Sequence, residues 1–394
     1  MSKVLFINGN LHGHINPTLP LVRELTQRGE EVYYFASKEF QSKLIEHGAT
    51  YMELGDAFDQ SLHKFRPHGD HPFFTLLEYI LAYDSALLRE VLPRIHSMEF
   101  DYIIHDAMFG AGNIIAKILN IPALSSCSSF VMEQPPLPPF MLEPGYHPQL
   151  DYIYQTLEQL KQEWDYPSLT LNQLFFKKEP FNLVYTSRHF HPQGESYDST
   201  YHFIGPSMQD YAKESDFVLE KTSKKRLIYI SLGTINNNCF EFYQQCFEAF
   251  ASTDYQVVLS VGYKIDLSQI NNIPDNFIVR NYVPQQEVLK QADLFISHGG
   301  LNSVNESLYY NVPIIVIPMA NDQPAVAKRV TELGAGIELS MTSISPSLLN
   351  STAEEILKEH SYYEGCSKIR DSFIAAGGCQ RGADEIMRYM EQYQ

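Results

Sequence analysis

A chain of 394 residues with 44% hydrophobic and 19% charged side chains is long enough to divide into two domains, each with its own core. Its formal net charge of -18, from 47 Asp and Glu against 29 Lys and Arg, argues against a nucleic-acid partner, so any anionic ligand has to be held locally. MSKVLFINGN is too short an apolar run for a signal sequence, and VPIIVIP is far shorter than the roughly 18 residues of a membrane span, so a soluble, cytoplasmic protein without stable membrane insertion is expected.

The chain opens with an apolar strand, VLFIN, followed by the loop GNLHGHINPT (9–18). Asn16 can cap a helix with Pro17 at its first position, Leu19, Leu21, Val22 and Leu25 supply the apolar face, and Gly29 ends it before the strand EVYYFAS. Apolar segments FDYIIHDA, IPALSSC and FNLVYTS continue this βαβ alternation, which predicts a parallel sheet covered on both faces over residues 1–207. Two stretches, 58–92 and 130–180, break the pattern with dense aromatics and the run PPLPP, read as a rigid loop; the aromatics suit either core packing or an apolar acceptor pocket. Residues 208–223 are polar and read as a linker. Over 224–380 the alternation restarts with RLIYISLG, a helix through FYQQCFEAF, then YQVVLSVG, FIVRNYV, ADLFISHGG, a helix through SVNESLYY, and VPIIVIP; residues 381–394 read as a closing helix. Two Rossmann-like halves of this kind imply a ligand cleft between them, at the carboxyl ends of their strands. Five scattered cysteines without a CxxC pair, Cys127, Cys239, Cys246, Cys366 and Cys379, read as reduced thiols.

DLFISHGGLNSVNES (293–307) carries the most chemistry. A buried strand ends at His298, two glycines allow close backbone approach, and Asn302 or Ser303 can cap a helix whose first-turn N–H groups point outward. Backbone amides, the helix dipole and His298 can hold a diphosphate without Lys or Arg, and Glu306 can accept from ribose hydroxyls. No acidic pair stands beside the site to bridge a divalent cation, so no metal and no bound cofactor are expected.

YVPQQEVL (282–289), SHGGLNSVNESLYYNVPIIVIP (297–318) and NDQ (321–323), with SLGT (231–234) and GHINP (13–17), resemble the UDP-glycosyltransferases of the GT-B fold (family 1), closest to bacterial macrolide and flavonoid glycosyltransferases. The resemblance covers essentially the whole chain. It implies an α/β fold of two Rossmann-like domains, an N-terminal one for the acceptor and a C-terminal one for the nucleotide sugar. It also implies inverting, metal-independent transfer of a sugar, usually glucose from UDP-glucose as co-substrate, to a hydroxyl of a lipophilic small molecule such as a polyphenol, macrolide, sterol or terpenoid, by a monomer or weak dimer. On that resemblance Tyr282 stacks on the uracil, with Val283 and Gln285 contacting the base; His298, Gly300, Asn302, Ser303 and Thr234 hold the diphosphate; Glu306 binds the ribose; and Asp322 and Gln323 bind the sugar hydroxyls. Two departures stand out: Tyr282 replaces the Trp of many relatives, and Asn311 stands where a glycine is common, Asn being the next best residue for a left-handed helix terminus.

Two histidines in one loop lack an obvious third metal ligand, and the GHxNP motif matches at Gly13, His14, Asn16 and Pro17, which selects His14 as general base. Asp106, ending the strand YIIH, is its expected partner, and a helix starting just after His14 would disfavour the imidazolium. His12 and His105 read as loop and core residues. A dinucleotide oxidoreductase would need GxGxxG where the chain has GNLHG. A sugar-nucleotide epimerase or a catalytically degenerate nucleotide-sugar-binding protein shares the architecture and is the alternative.

Overall fold

A computed structural model describes residues 2–164, 169–208, 217, 219, 225–234 and 237–393. The linker expected over 208–223 lies outside the described residues apart from Met208, Phe217 and Leu219. The chain forms two compact units, one of Met1–Tyr185, Tyr197–Ser207 and Cys379–Gln394, the other of Thr186–Ser196 and Met208–Gly378.

In the first unit, strands β1 (Lys3–Ile7), β2 (Glu31–Ala36), β3 (Thr50–Glu53), β4 (Tyr102–Asp106), β5 (Ala123–Cys127), β6 (Asn182–Val184) and β7 (Tyr201–Phe203) make one parallel sheet in the order β3-β2-β1-β4-β5-β6-β7. β1 and β4 are buried along almost their whole length, as the apolar runs require for a sheet covered on both faces. The order reverses between β1 and β4, which pair with Ile7 opposite His105, so the loops after these two strands leave the same edge at the switch point. The second unit repeats the plan with β8 (Leu227–Ser231), β9 (Gln256–Ser260), β10 (Phe277–Arg280), β11 (Leu294–Ser297), β12 (Ile314–Val316) and β13 (Gly336–Glu338) in the order β10-β9-β8-β11-β12-β13, its reversal falling between β8 and β11.

Several local expectations are corrected. The first helical turn begins at His12, with His12–Ile15 running through a 3-10 turn Asn16–Thr18 into Leu19–Gln27, so Asn16 is not the expected N-terminal cap and His14 sits inside the turn. Leu19, Leu21, Val22 and Leu25 are all buried as expected. The helix Leu301–Tyr309 starts from Gly300 without a side-chain cap, so neither Asn302 nor Ser303 fills that role. The aromatic stretch before residue 92 is largely the helix Pro72–Ile95, and Phe58, Phe74 and Phe175 join the first unit's core. Thr186–Ser196 belongs to the second unit, tied there by Ser187 Oγ to Ser372 Oγ (2.7 Å) and by the Arg329 guanidinium donating to the Phe190 carbonyl (2.9 Å). The last helix, Gly378–Met390, buries Cys379, Ala383, Ile386 and Met390 in the first unit's core, and its Glu385 pairs with His202. All five cysteines are unbridged, four of them buried. No helix among the described residues is long and apolar enough to cross a membrane.

Candidate active site

In the first unit, Asp106 closes β4 with its carboxylate almost fully buried. Oδ1 accepts from the Met108 and Phe109 amides (2.7 and 3.1 Å), and Oδ2 accepts from the Gly9 amide (3.2 Å) and lies 2.6 Å from His14 Nδ1. Burial by itself would raise this carboxyl, but His14 and the two loop amides outweigh it and hold the group below the usual carboxylate range. Against an ionised Asp106, Nδ1 of a neutral His14 is the protonated nitrogen and Nε2 carries the basic lone pair. Ser128 Oγ, following β5, lies 2.9 Å from the same Nδ1. A Cβ at Gly9 would come within 3.2 Å of the imidazole, so glycine makes room for the ring.

The helix Pro72–Ile95 fixes both loops that meet here. Tyr83 accepts at its hydroxyl from the Asn10 amide (2.8 Å) and donates to the Asn8 carbonyl (3.3 Å). Asp84 Oδ1 accepts from the Gly110 and Ala111 amides (2.8 and 3.1 Å), and its other oxygen lies 3.1 Å from the ammonium of Lys177, both side chains being buried. Lys177 in turn donates to the Met108 carbonyl (2.5 Å). Ala111, at φ 49°, occupies the left-handed region that a residue with a Cβ adopts only when its surroundings enforce it. Phe109 meets the His14 ring edge-on at 5.3 Å between centroids and continues through Tyr79 (6.1 Å) to Phe65 (5.4 Å), an aromatic wall leading away from the imidazole. His12 pairs with Glu39 instead (3.4 Å), and the fully buried His105 bridges the Asp106 carbonyl and Glu179.

In the second unit, the loops after β8 and β11 carry Thr234, which is exposed, and His298. A Cβ at Gly233 or Gly300 would come within 2.6 Å of the His298 ring, so the two glycines define its slot. Burial pushes the His298 pKa down to about 4 against the pull of Asp322, so the ring is neutral at pH 7. Its Nδ1 has no hydrogen-bond partner among the described residues. His298 is thus a hydrogen-bonding group rather than a cation, and first-turn amides of Leu301–Tyr309, Asn302 and Ser303 included, form the positive end of the site.

Glu306, on that helix, is raised by burial and receives Gln285 Nε2 on one oxygen (2.6 Å) and Gln286 Nε2 on the other (2.9 Å). Gln285 also reaches Ser303 Oγ (3.2 Å) and accepts from the Tyr229 hydroxyl (3.3 Å). Its amide therefore orders Glu306 and Ser303. Val283 is 2% exposed, whereas the neighbouring Tyr282 is 58% exposed. Asp322 is half-buried at the head of the helix Gln323–Glu332. The Gln323 amide oxygen accepts from the Met319 and Ala320 amides (2.8 and 3.0 Å), which leaves its NH2 as the group to offer a ligand. Asn311, at φ 61°, adopts the left-handed conformation for which Asn substitutes for glycine. Among the described residues no three His, Cys, Asp or Glu side chains are grouped to hold a metal ion.

Sequence reasoning missed Ser128, Tyr83, Asp84, Lys177, Tyr229 and Gln286. Gln286 lay inside the quoted YVPQQEVL; the others have no local signal, because their partners are distant in sequence.

Residues 244–387 match the model of the erythromycin biosynthesis protein CIII-like C-terminal domain. The chain is 35% identical to the uncharacterized UDP-glucosyltransferase YojK of Bacillus subtilis, over 100% of this chain and 98% of that one. It is 31% identical to the NDP-glycosyltransferase YjiC of Bacillus subtilis, over 99% and 97%. The crystal structure of the kitacinnamycin glycosyltransferase superposes with a TM-score of 0.82 at 25% identity, covering 98% of both chains.

Proposed function

Since this chain belongs to the family 1 glycosyltransferases of the GT-B fold, it is an enzyme of sugar transfer, and we propose that it moves glucose from UDP-glucose to a hydroxyl of a lipophilic small molecule, with inversion and without a metal. The observation that carries the mechanism is the 2.6 Å contact between Asp106 and His14 Nδ1, which sets Nε2 as the proton acceptor. The acceptor hydroxyl gives its proton to Nε2 as its oxygen forms a bond to the anomeric carbon; the bond from that carbon to the diphosphate oxygen breaks on the opposite face, and UDP departs with the electron pair. Asp106 stabilises the imidazolium while it lasts.

Charge developing on the diphosphate is met by the amide-rich start of Leu301–Tyr309, with Gly300, Asn302, Ser303, Thr234 and the neutral His298 hydrogen-bonding to it. This arrangement needs no divalent ion, which supports the metal-free reading. Tyr282 offers its exposed ring to the uracil, beside Val283 and Gln285; Gln285 and Gln286 hold Glu306 toward the ribose. Asp322 accepts from adjacent sugar hydroxyls while Gln323 donates. The aromatic wall of Phe109, Tyr79 and Phe65 supports a greasy, planar acceptor. UDP-glucose is favoured by the name of the Bacillus relative YojK.

Calorimetric titration of the intact chain with UDP and dTDP, followed by assay of UDP-glucose against phenols, macrolides and sterols, tests the proposal. UDP binding and a glucosylated product are expected. Binding of dTDP but not UDP overturns the donor assignment, and an epimerised or merely hydrolysed sugar with every acceptor overturns the transfer.

A further inference from the structure

Tyr263, in the loop after β9, is 81% exposed, and Tyr282, after β10, is 58% exposed. Their rings are parallel to within 9°, with centroids 6.4 Å apart. Parallel rings in face contact approach to about 3.5–4 Å and hide a face each, whereas these leave most of their surface open. Two successive ring contacts of about 3.5 Å span roughly 7 Å, and the 6.4 Å between centroids sets the upper limit of the present gap, so one planar ring enters between the tyrosines when they part by at least about half an ångström.

The spacing is built in. β9 and β10 run side by side with Ser260 opposite Arg280, and the pairing continues past them: the Val261 amide donates to the Arg280 carbonyl (3.0 Å) and the Gly262 amide to the Asn281 carbonyl (2.9 Å). Asn281, next to Tyr282, returns its side-chain amide to the Gly262 and Ile265 carbonyls (2.8 and 2.7 Å), so it spans the turn that carries Tyr263. Gly262 makes that turn at φ 81°, where a Cβ would meet the Asn237 amide at 2.0 Å. Three residues beyond Tyr282, Gln285 binds Ser303 and Glu306. The backbone segments that carry the two rings are therefore tied to each other and to the helix assigned to the diphosphate and ribose, while the exposed rings keep the side-chain freedom to part.

We propose that Tyr263 and Tyr282 form a clamp for the donor's pyrimidine, with Tyr263 closing the face of the base that Tyr282 does not cover; this rests on the reading that Tyr282 stacks on a nucleoside diphosphate. Stacking from two faces gives affinity with little regard to base identity, so the clamp strengthens binding of UDP and dTDP alike.

The test titrates UDP, dTDP and inorganic pyrophosphate into the intact wild type and into the Tyr263→Ala and Tyr263→Phe variants. Tyr263→Ala is expected to weaken UDP and dTDP by about 5- to 50-fold, Tyr263→Phe to retain affinity within about twofold because the ring remains, and pyrophosphate affinity to stay constant throughout. Equal UDP affinity in wild type and Tyr263→Ala overturns the clamp alone. A parallel loss of pyrophosphate binding also overturns it, showing a disturbed loop instead of a lost ring contact. A wild type that binds neither nucleotide overturns the donor reading and the clamp with it.

Discussion

A buried carboxylate 2.6 Å from Nδ1 leaves Nε2 as the nitrogen through which a neutral His14 can take up a proton, the role proposed for it. His14→Ala should lower kcat by about 10²–10⁴ while UDP affinity, measured separately, is retained, because the residues proposed to bind the donor belong to the other unit. Asp106→Asn should cost somewhat less, since the ring stays and only its tautomer and charge support are lost. Acidic phenols and thiols, which ionise with little help, should show the smaller deficit. A His14→Ala enzyme that glycosylates an aliphatic alcohol at the wild-type rate would leave His14 with no part in proton transfer.

At the scale of the element, the helix Pro72–Ile95 acts as a frame for the site. Tyr83 and Asp84 are consecutive, one gripping the loop after β1 and the other the loop after β4, so a single turn of helix sets the distance between His14 and Asp106. The Asp84–Lys177 pair is buried, and removing one partner leaves the other charge uncompensated. Asp84→Ala should therefore destabilise the protein by about 3–5 kcal/mol, with Lys177→Met in the same chain recovering part of the loss. Chemical denaturation checks this; an unchanged midpoint for Asp84→Ala would mean that the pair does not hold the frame.

For the whole molecule, acid acts on the two units through different groups. In the second unit, burial holds both His298 and His191 down to about 4, whereas in the unfolded chain each titrates near 6.5. Above about pH 6.5 both are neutral in either state and contribute nothing to the pH dependence. As pH falls from there toward 4 the unfolded chain binds protons that the folded unit refuses, and stability is lost. In the first unit, the hydrogen bond from His202 is the main cause holding Glu385 to about 2, so its stabilisation is present above about pH 4.3 and disappears as pH drops through 2. Thermal unfolding followed from about pH 7 to about pH 4.5 should show a falling midpoint, and His191→Gln should flatten that slope. A midpoint constant over this range would show that the two histidines titrate alike in both states.

The order of strands and helices was legible because it follows from local pattern. VLFIN, YIIHD and LFIS are apolar on both faces and can be stable only inside a covered parallel sheet, and the motif residues at their carboxyl ends are then carried to the switch points without further instruction. Edge strands β3, β7 and β13 were not legible: three or four residues long and buried on alternate or fewer positions, they gain their identity from pairing with a neighbour already in place. The site divides in the same way. Residue types at His14, Asp106, His298, Glu306 and Asp322 were set by sequence, whereas their working states were not. The proton on Nδ1, the neutral His298, the committed oxygen of Gln323 and the bracing of both loops by Tyr83 and Asp84 each depend on burial or on a partner far along the chain. Periodicity reports only which neighbours a residue has within a few positions; desolvation and long-range hydrogen bonds exist only once the tertiary structure has closed around the group.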